Sequence, residues 1–166
     1  KLGVDYLELR HRQAKTEDWP AKQVHATFRK SLSSDDNENM LAMKRKQRAV
    51  IRQAIKNEHT TELNADIKTF YQLYSTSVRN LGTPVFSLRF FNELKQAFGS
   101  DCEVLTVNHN GKATSALMTF YHKNEVLPYY AGSLPESRKL NRWTSCTGTR
   151  CVGPPKTVTQ SMISVA

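Results

Sequence analysis

The sequence holds no run approaching the roughly 18 apolar residues that a membrane-spanning helix needs. A secretory signal pattern is also missing, and the chain begins at Lys1 rather than Met. A processed start or a piece of a longer protein is therefore expected, and the strand-like VDYLELR so close to the N-terminus favours the piece. Cysteine is scarce: Cys102, Cys146 and Cys151 are an odd set, which argues against a disulfide framework. Cys146 and Cys151 resemble half of a zinc site, but no second pair of Cys or His follows them, so no metal is expected. The five histidines, His11, His25, His59, His109 and His122, are scattered without metal-ligand spacing. There is no P-loop, dinucleotide-binding glycine fingerprint, nucleophile elbow or HExxH. No paired carboxylates stand out. Acidic residues end at Glu136, while Arg138, Lys139, Arg142, Arg150 and Lys156 follow. Five of the nine net positive charges therefore lie in the last stretch, and the bulk charge argues only weakly for nucleic-acid binding.

What remains is a chain of 166 residues with 39% apolar content, low for a compact protein but not disordered. Val4 to Arg10 reads as a strand with Val4, Tyr6 and Leu9 buried, and Val24 to Phe28 alternates as a second. Ser31 to Asn39 is a polar boundary in which Ser33, Ser34 or Asp35 can cap a following helix. Asn37 to Asn57 has helical periodicity. Asn64 to Asn80 reads as another helix, with Ile67, Phe70, Tyr71, Tyr74 and Val78 as its apolar stripe, ended by Gly82 and Pro84. Ser87 opens a third, closed by Gly99, with Leu88, Phe91, Leu94 and Phe98 inward. The period then changes to two. Cys102–Val107 and Ala113–Tyr121 form strands around an Asn110-Gly111 type I′ turn. The second of these is apolar enough to be buried on both faces. Glu125–Tyr130 forms a third strand in which Pro128 marks an edge or a bulge. His122 reads as an exposed turn residue, and Gly132 and Ser133 as the start of a loop. Composition and spacing alone thus yield a soluble α/β domain.

The helix over 37–57 is strongly basic, with Lys44, Arg45, Lys46, Arg48, Arg52 and Lys56. Arg45, Arg48 and Arg52 fall on one side, three and four residues apart. That side reads either as a solvated face or as an anion site for a phosphate- or carboxylate-bearing substrate.

The succession KRKQRAVIRQAIKN, FYQLYSTSVRNLGTPVF, FFNELKQAFG, CEVLTV and FYHKNEVLPYYAGS resembles the FemAB-like transferases. The likeness is close to the subgroup associated with PEP-CTERM and exosortase exopolysaccharide systems. It covers about residues 1–140 and is most specific in SVRNLGTPVF and VLPYYAGS. The resemblance implies a mixed α/β GNAT-like acyltransferase fold, incomplete here, with a three-stranded antiparallel-rich sheet packed by helices. On it, residues 1–30 end a first GNAT-like domain and 31–43 form a linker and helix start. Residues 44–140 are the N-terminal part of a second such domain, and 141–166 an aberrant tail. The implied activity is cytoplasmic transfer of an acyl or aminoacyl group to an amine of a cell-envelope acceptor: a polysaccharide, a peptidoglycan precursor or a protein. No cofactor is held permanently; acyl-CoA, an acyl carrier or aminoacyl-tRNA serves as co-substrate. Arg45, Arg48, Arg52, Arg79 and Arg89 are candidates to hold a phosphorylated or tRNA-linked substrate, and Tyr129 and Tyr130 to orient the acceptor. Each also reads as ordinary core or surface, and no residue is assigned as catalytic. The alternative from another class is an RNA-binding module that uses the basic helix without catalysis.

Members of the family continue after YYAGS with a helix containing FMYW and MRRA and a strand ending in DFGRSK. The tail NRWTSCTGTRCVGPPKTVTQSMISVA does not match. Shifting the reading frame by one base nonetheless permits DFMYWDEMRRAAEDGYTVYDFGR between Trp143 and Ala166, and the Trp143–Thr144 and Met162–Ile163 junctions each force the Asp the family has. The tail from about Asn141 is therefore read as a frameshifted version of the family's C-terminal segment, and this chain as an inactive fragment. Uncovered apolar faces at Val104–Val107 and Ala116–Phe120, and an open sheet edge, are expected to leave it marginally stable.

Overall fold

The computed structural model describes residues 3–7, 18–20, 27–56, 60–135, 137 and 160–164. The elements run β1 (Thr27–Ser31), α1 (Asp36–Leu41), α2 (Arg45–Lys56), β2 (Thr60–Leu63), α3 (Ile67–Asn80) and α4 (Leu88–Phe98). A single 3-10 turn then leads into β3 (Cys102–His109), β4 (Lys112–His122), β5 (Glu125–Ser133) and β6 (Gln160–Ser164). The sheet has the order β1-β6-β5-β4-β3-β2, with every neighbouring pair antiparallel except β5–β6, which is parallel. This is the mixed α/β architecture expected; β1 overlaps the strand read at Val24–Phe28, and β2 and β6 are strands the sequence pattern did not disclose.

The central strands form where alternation and turn chemistry agree. Asn110 and Gly111 take φ of 50° and 73°, the positive pair a type I′ hairpin requires. β4 is buried continuously from Thr114 to Thr119, on both faces as expected. On one face Cys102, Val104, Ala116 and Met118 meet Phe70, Leu73 and Tyr74 of α3 and Phe91 of α4. On the other, Leu105, Val107 and Leu117 cluster with Ala131. The expectation that these strand faces would be uncovered is therefore wrong: Val104, Leu105, Val107, Ala116, Leu117 and Met118 are all buried. The helices that cover the first face are already encoded between residues 67 and 98.

Helix α4 keeps its predicted ends. The Ser87 hydroxyl accepts from the Phe90 amide at 3.3 Å, and Gly99 closes the helix. In α3, Leu73 joins the predicted stripe, and the helix begins at Ile67 rather than Asn64 because Thr60–Leu63 pairs with β3 and Asn64 turns the chain at φ 55°. The continuous helix expected over 37–57 is instead two. Asp35 caps α1 through the Asn37 amide at 2.8 Å, and Asn39 is buried in a two-way exchange with the Ser33 backbone. The helix stops because its last carbonyls find other partners: Met40 accepts from Met43 and Leu41 from Arg48 Nη1, both at 3.1 Å.

Val4 and Tyr6 do not form the predicted buried strand; they are exposed, 61% and 80%, and outside any strand. β propensity without a paired neighbour does not make a strand. Leu9 and residues 24–26 lie outside the described residues, as do His11, His25, His59, Cys146 and Cys151. β1, placed by the resemblance near the boundary of an earlier domain, shares this sheet. Within the segment read as an aberrant tail, Gln160–Ser164 forms β6 between β1 and β5.

Gly132 does not open a loop. It continues β5 under α3, where a Cβ would overlap the backbone of Leu73 and Tyr74. The absence of a side chain sets how closely α3 approaches β5 and so positions Tyr74 against Tyr130.

Candidate functional site

The sheet is irregular in one functional-looking place. Met118 pairs with Tyr130 but Thr119 with Pro128, so Tyr129 is an extra residue on β5. A bulge leaves such a residue outside the ladder and bends the strand. Pro128, which has no N–H to give, sits beside it, as its position in a strand predicted. On the outer edge of β5 the parallel register with β6 covers only Glu125–Gln160 and Val126–Ser161. Beyond Val126 no strand among the described residues pairs with that edge. The β5–β6 pairing thus lies at the Glu125 end of β5, and the bulge lies further along the strand.

Beside the bulge, the C-terminal half of α4 and the β4–β5 hairpin enclose a pocket of about 390 Å³. Leu94, Phe98, Phe120, Leu127, Tyr129 and Tyr130 give it apolar walls, with His122 and Glu125 as its polar members. His122 and Glu125 face each other across the hairpin. Tyr130 is the centre of an aromatic cluster: its ring stands edge-to-face to Phe91 at 5.1 Å, Tyr74 at 5.9 Å and Tyr129 at 4.7 Å. Burial, then the neighbouring Tyr129 and Tyr74 hydroxyls, push the Tyr130 phenol above its ordinary range. Burial and Tyr71 do the same to Tyr74. Both are therefore neutral hydroxyls, able to donate, across physiological pH. Tyr129 is 53% exposed and forms the pocket's outer wall.

The candidate residues separate in the structure. Tyr129 and Tyr130 lie together at the bulge and the pocket. None of the five arginines lines that pocket. Arg45 and Arg52 are exposed on α2, whereas Arg48 is half-buried and holds the end of α1. Arg79 is exposed in the last turn of α3, where a cation suits the helix dipole. Arg89 pairs with Glu93 one turn later at 2.7 Å. Sequence reasoning missed the pocket. Phe98 and Leu94 read as core positions of α4, and His122 as an exposed turn residue; it is exposed, but as the last residue of β4. The proline within β5 was the available signal, since a bulge there re-aims neighbouring side chains.

Cys102 is buried without a disulfide; burial pushes its thiol up against the opposing pull of the Lys95 ammonium, with Glu103 adding to the rise. Lys95 donates to the Cys102 carbonyl oxygen, tying α4 to the start of β3. A thiol in this setting is a structural apolar group. Among the described residues no cluster of His, Cys, Asp and Glu could hold a metal, and no helix is long and apolar enough to cross a membrane.

Comparison with known proteins agrees with this geometry. The crystal structure of FemX superposes with a TM-score of 0.77 at 14% identity, covering 84% of this chain and 52% of FemX. The C-terminal domain of a putative lysylphosphatidylglycerol synthetase from Agrobacterium fabrum gives 0.57 at 11% identity, covering 84% and 48%. A conserved protein of unknown function from Bacteroides thetaiotaomicron gives 0.57 at 9%, covering 83% and 53%. The chain spans about half the length of these structures, and at such identities the likeness is one of fold. No curated protein matches the sequence. A family model described as an acetyltransferase (GNAT) domain matches residues 42–142, which takes in α2 to β5 with the bulge and the pocket. The chain belongs to the GNAT acetyltransferase domain family.

Proposed function

We propose that this domain is part of a FemAB-like transferase that moves an acyl or aminoacyl group onto an amine of a cell-envelope or exopolysaccharide-related acceptor in the cytoplasm. The observation that carries this reading is the Tyr129 bulge in β5. In acyl transfer an amine attacks an activated carbonyl, and the barrier falls when the partners are held together and the developing oxyanion meets fixed donors. Main-chain amides that the bulge releases from the ladder are such donors. On this reading an extended donor, acyl-CoA or aminoacyl-tRNA, lies along β5 beside the bulge without disturbing the β3–β4 pair. The Tyr130 hydroxyl, neutral and held in its ring cluster, orients the acceptor, with Tyr129 at the rim. Chemistry of this kind needs no triad or metal, which agrees with the sparse motif content of the sequence.

Donor recognition is assigned to the exposed basic side of α2, with Arg45 and Arg52 toward the phosphates and Arg48 fixing the α1–α2 corner; Arg79 and Arg89 are the secondary candidates. Full resemblance to the PEP-CTERM-associated subgroup requires the family's C-terminal segment, and the frame change near Asn141 accounts for its absence. Gln160–Ser164 forms β6, and at those places the shifted frame reads VYDFG. On this account the present chain is inactive and the frame-restored protein is active.

The test is to sequence the coding region, restore the frame and assay acyl and aminoacyl transfer. Arg52→Ala should weaken donor binding with less effect on turnover, and Arg48→Ala should also loosen the α1–α2 corner. An RNA-binding module without catalysis would instead bind RNA with steep salt dependence and transfer nothing. A coding sequence in which a one-base shift does not open DFMYW and DFGR removes the frame-change reading.

A further inference from the structure

Beside the Tyr129 bulge the molecule leaves apolar surface uncovered. The pocket under α4 holds about 390 Å³, within the range of small-ligand sites. Leu94, Phe98, Phe120, Leu127, Tyr129 and Tyr130 wall it, and two of these rings stay wet: Phe98 is 44% exposed and Tyr129 53%. Exposed aromatic surface gathered around a concavity marks a place for a ligand. The way the walls are built narrows its chemistry. The rings are already packed on one another, Phe98 on Phe120 at 4.9 Å, Tyr129 on Tyr130 at 4.7 Å and Phe120 near Tyr130 at 6.3 Å. They form a continuous wall and leave no slot between them for a flat ring, whereas a flexible chain lies along such a wall. Among the described residues neither Lys nor Arg lines the pocket, and its carboxylate, Glu125, is engaged within the protein. No free charge is offered to an ionic head, and burying one unpaired is costly.

We propose that this pocket is the subsite for an unbranched alkyl chain carried by the acyl donor, so that the group transferred is a medium-length fatty acyl group. Binding of the chain follows from the pocket alone; its assignment to the donor rests on the transferase reading. Tyr129 belongs to both the pocket and the bulge. The chain of an acyl group starts at the carbonyl that, on that reading, meets the bulge amides, so it must enter whatever apolar space adjoins them. An acceptor's tail is under no such constraint. In the reaction the acceptor nitrogen attacks the thioester carbonyl. The C–N bond forms, the C–S bond breaks with its electron pair leaving on sulfur, and the proton lost by the amine passes to the departing thiolate. The chain itself does not react: its burial holds the carbonyl at the bulge, and each methylene adds to that hold.

Butyryl, hexanoyl, octanoyl and decanoyl thioesters of N-acetylcysteamine are titrated into the 166-residue chain by calorimetry. Affinity is expected to rise about threefold for each added methylene and to level off once the chain outgrows the pocket. Leu127→Trp, which fills the pocket, should remove the dependence on length. Phe98→Ala, at an exposed position, takes away one wall and should flatten the rise. If the Trp variant does not fold, the Ala variant decides. Affinity indifferent to chain length, or a length dependence that neither variant alters, overturns the proposal. On the frame-restored protein, octanoyl transfer from its coenzyme A thioester to ethylamine should exceed acetyl transfer by about tenfold or more in kcat/KM. Acetyl transfer onto octylamine that outpaces octanoyl transfer onto ethylamine puts the chain on the acceptor and overturns the donor assignment. Length-dependent binding without transfer of any acyl group leaves the subsite standing and counts against the transferase reading. Transfer that favours acetyl, or an aminoacyl ester of tRNA, upholds the transferase reading and overturns the subsite.

Discussion

Helices α2 and α4 are nearly equal in length, 12 and 11 residues, and both alternate apolar and polar faces, yet they do different things. Helix α4 lies on the sheet, buries Phe91 completely and forms one wall of the pocket. Helix α2 buries Ile51 but turns Arg45 and Arg52 to solvent, and its half-buried Arg48 closes the helix before it. An apolar stripe acquires its meaning from any surface that hides it, so α4's role follows from its rings. A row of arginines acquires its meaning from a particular anion, which the row itself does not specify. The region around α3, α4 and β3–β5 should therefore respond to substitution through stability, and α2 through binding.

The largest effect is expected at Phe91, which touches the rings of Phe70, Tyr74, Phe90 and Tyr130. Phe91→Ala should cost about 3–5 kcal/mol in urea unfolding, enough to unfold a marginal domain. Next is Gly132→Ala, which forces α3 off β5; a loss of about 3 kcal/mol is expected. Gly82→Ala is the comparison: φ is positive there, unlike at Gly132, but the space is open, so the loss should be nearer 1 kcal/mol. Equal losses at the two glycines would refute the close α3–β5 contact.

A smaller effect is one of pH. Burial raises Tyr74 and Tyr130 above their unfolded values, so the folded state keeps their protons longer. Their contribution is complete below about pH 10 and is lost as pH rises through the folded values. Cys102 acts in the same direction from about pH 8.5. Thermal melts from pH 8 to 11 should fall more steeply for the parent than for Tyr130→Phe. The smallest effect belongs to the exposed arginines: Arg45→Ala and Arg89→Ala should leave the melting curve essentially unchanged, since an exposed pair such as Arg89–Glu93 adds little. A large destabilisation by Arg45→Ala would erase the distinction between the two helices.

The parts of the fold legible in the sequence were those where two local signals agree. Ser87 with Gly99 bounds α4, Asn110-Gly111 with flanking alternation makes the β3–β4 hairpin, and Pro128 in an otherwise regular strand marks the bulge. What escaped depends on distant partners. β2 is four residues that become a strand only against β3, and β6 only between β1 and β5. The α1–α2 break depends on Asn39 reaching back to Ser33 and on Arg48 reaching Leu41. Of the site, the tyrosines were legible as an aromatic pair ending a strand. The pocket was not, because Phe98 and Leu94 arrive from a helix whose periodicity describes only a core.

The central claim is that the Tyr129 bulge supplies the acyl-transfer point, and deleting Tyr129 tests it most directly. The pairs on either side, Met118–Tyr130 and Thr119–Pro128, then become consecutive and the ladder regular. In the frame-restored protein the deletion should preserve the melting transition and lower the rate of acyl transfer by about 100-fold or more, the loss expected when an oxyanion donor is removed. A folded deletion variant that transfers acyl groups at the parent rate would contradict the account.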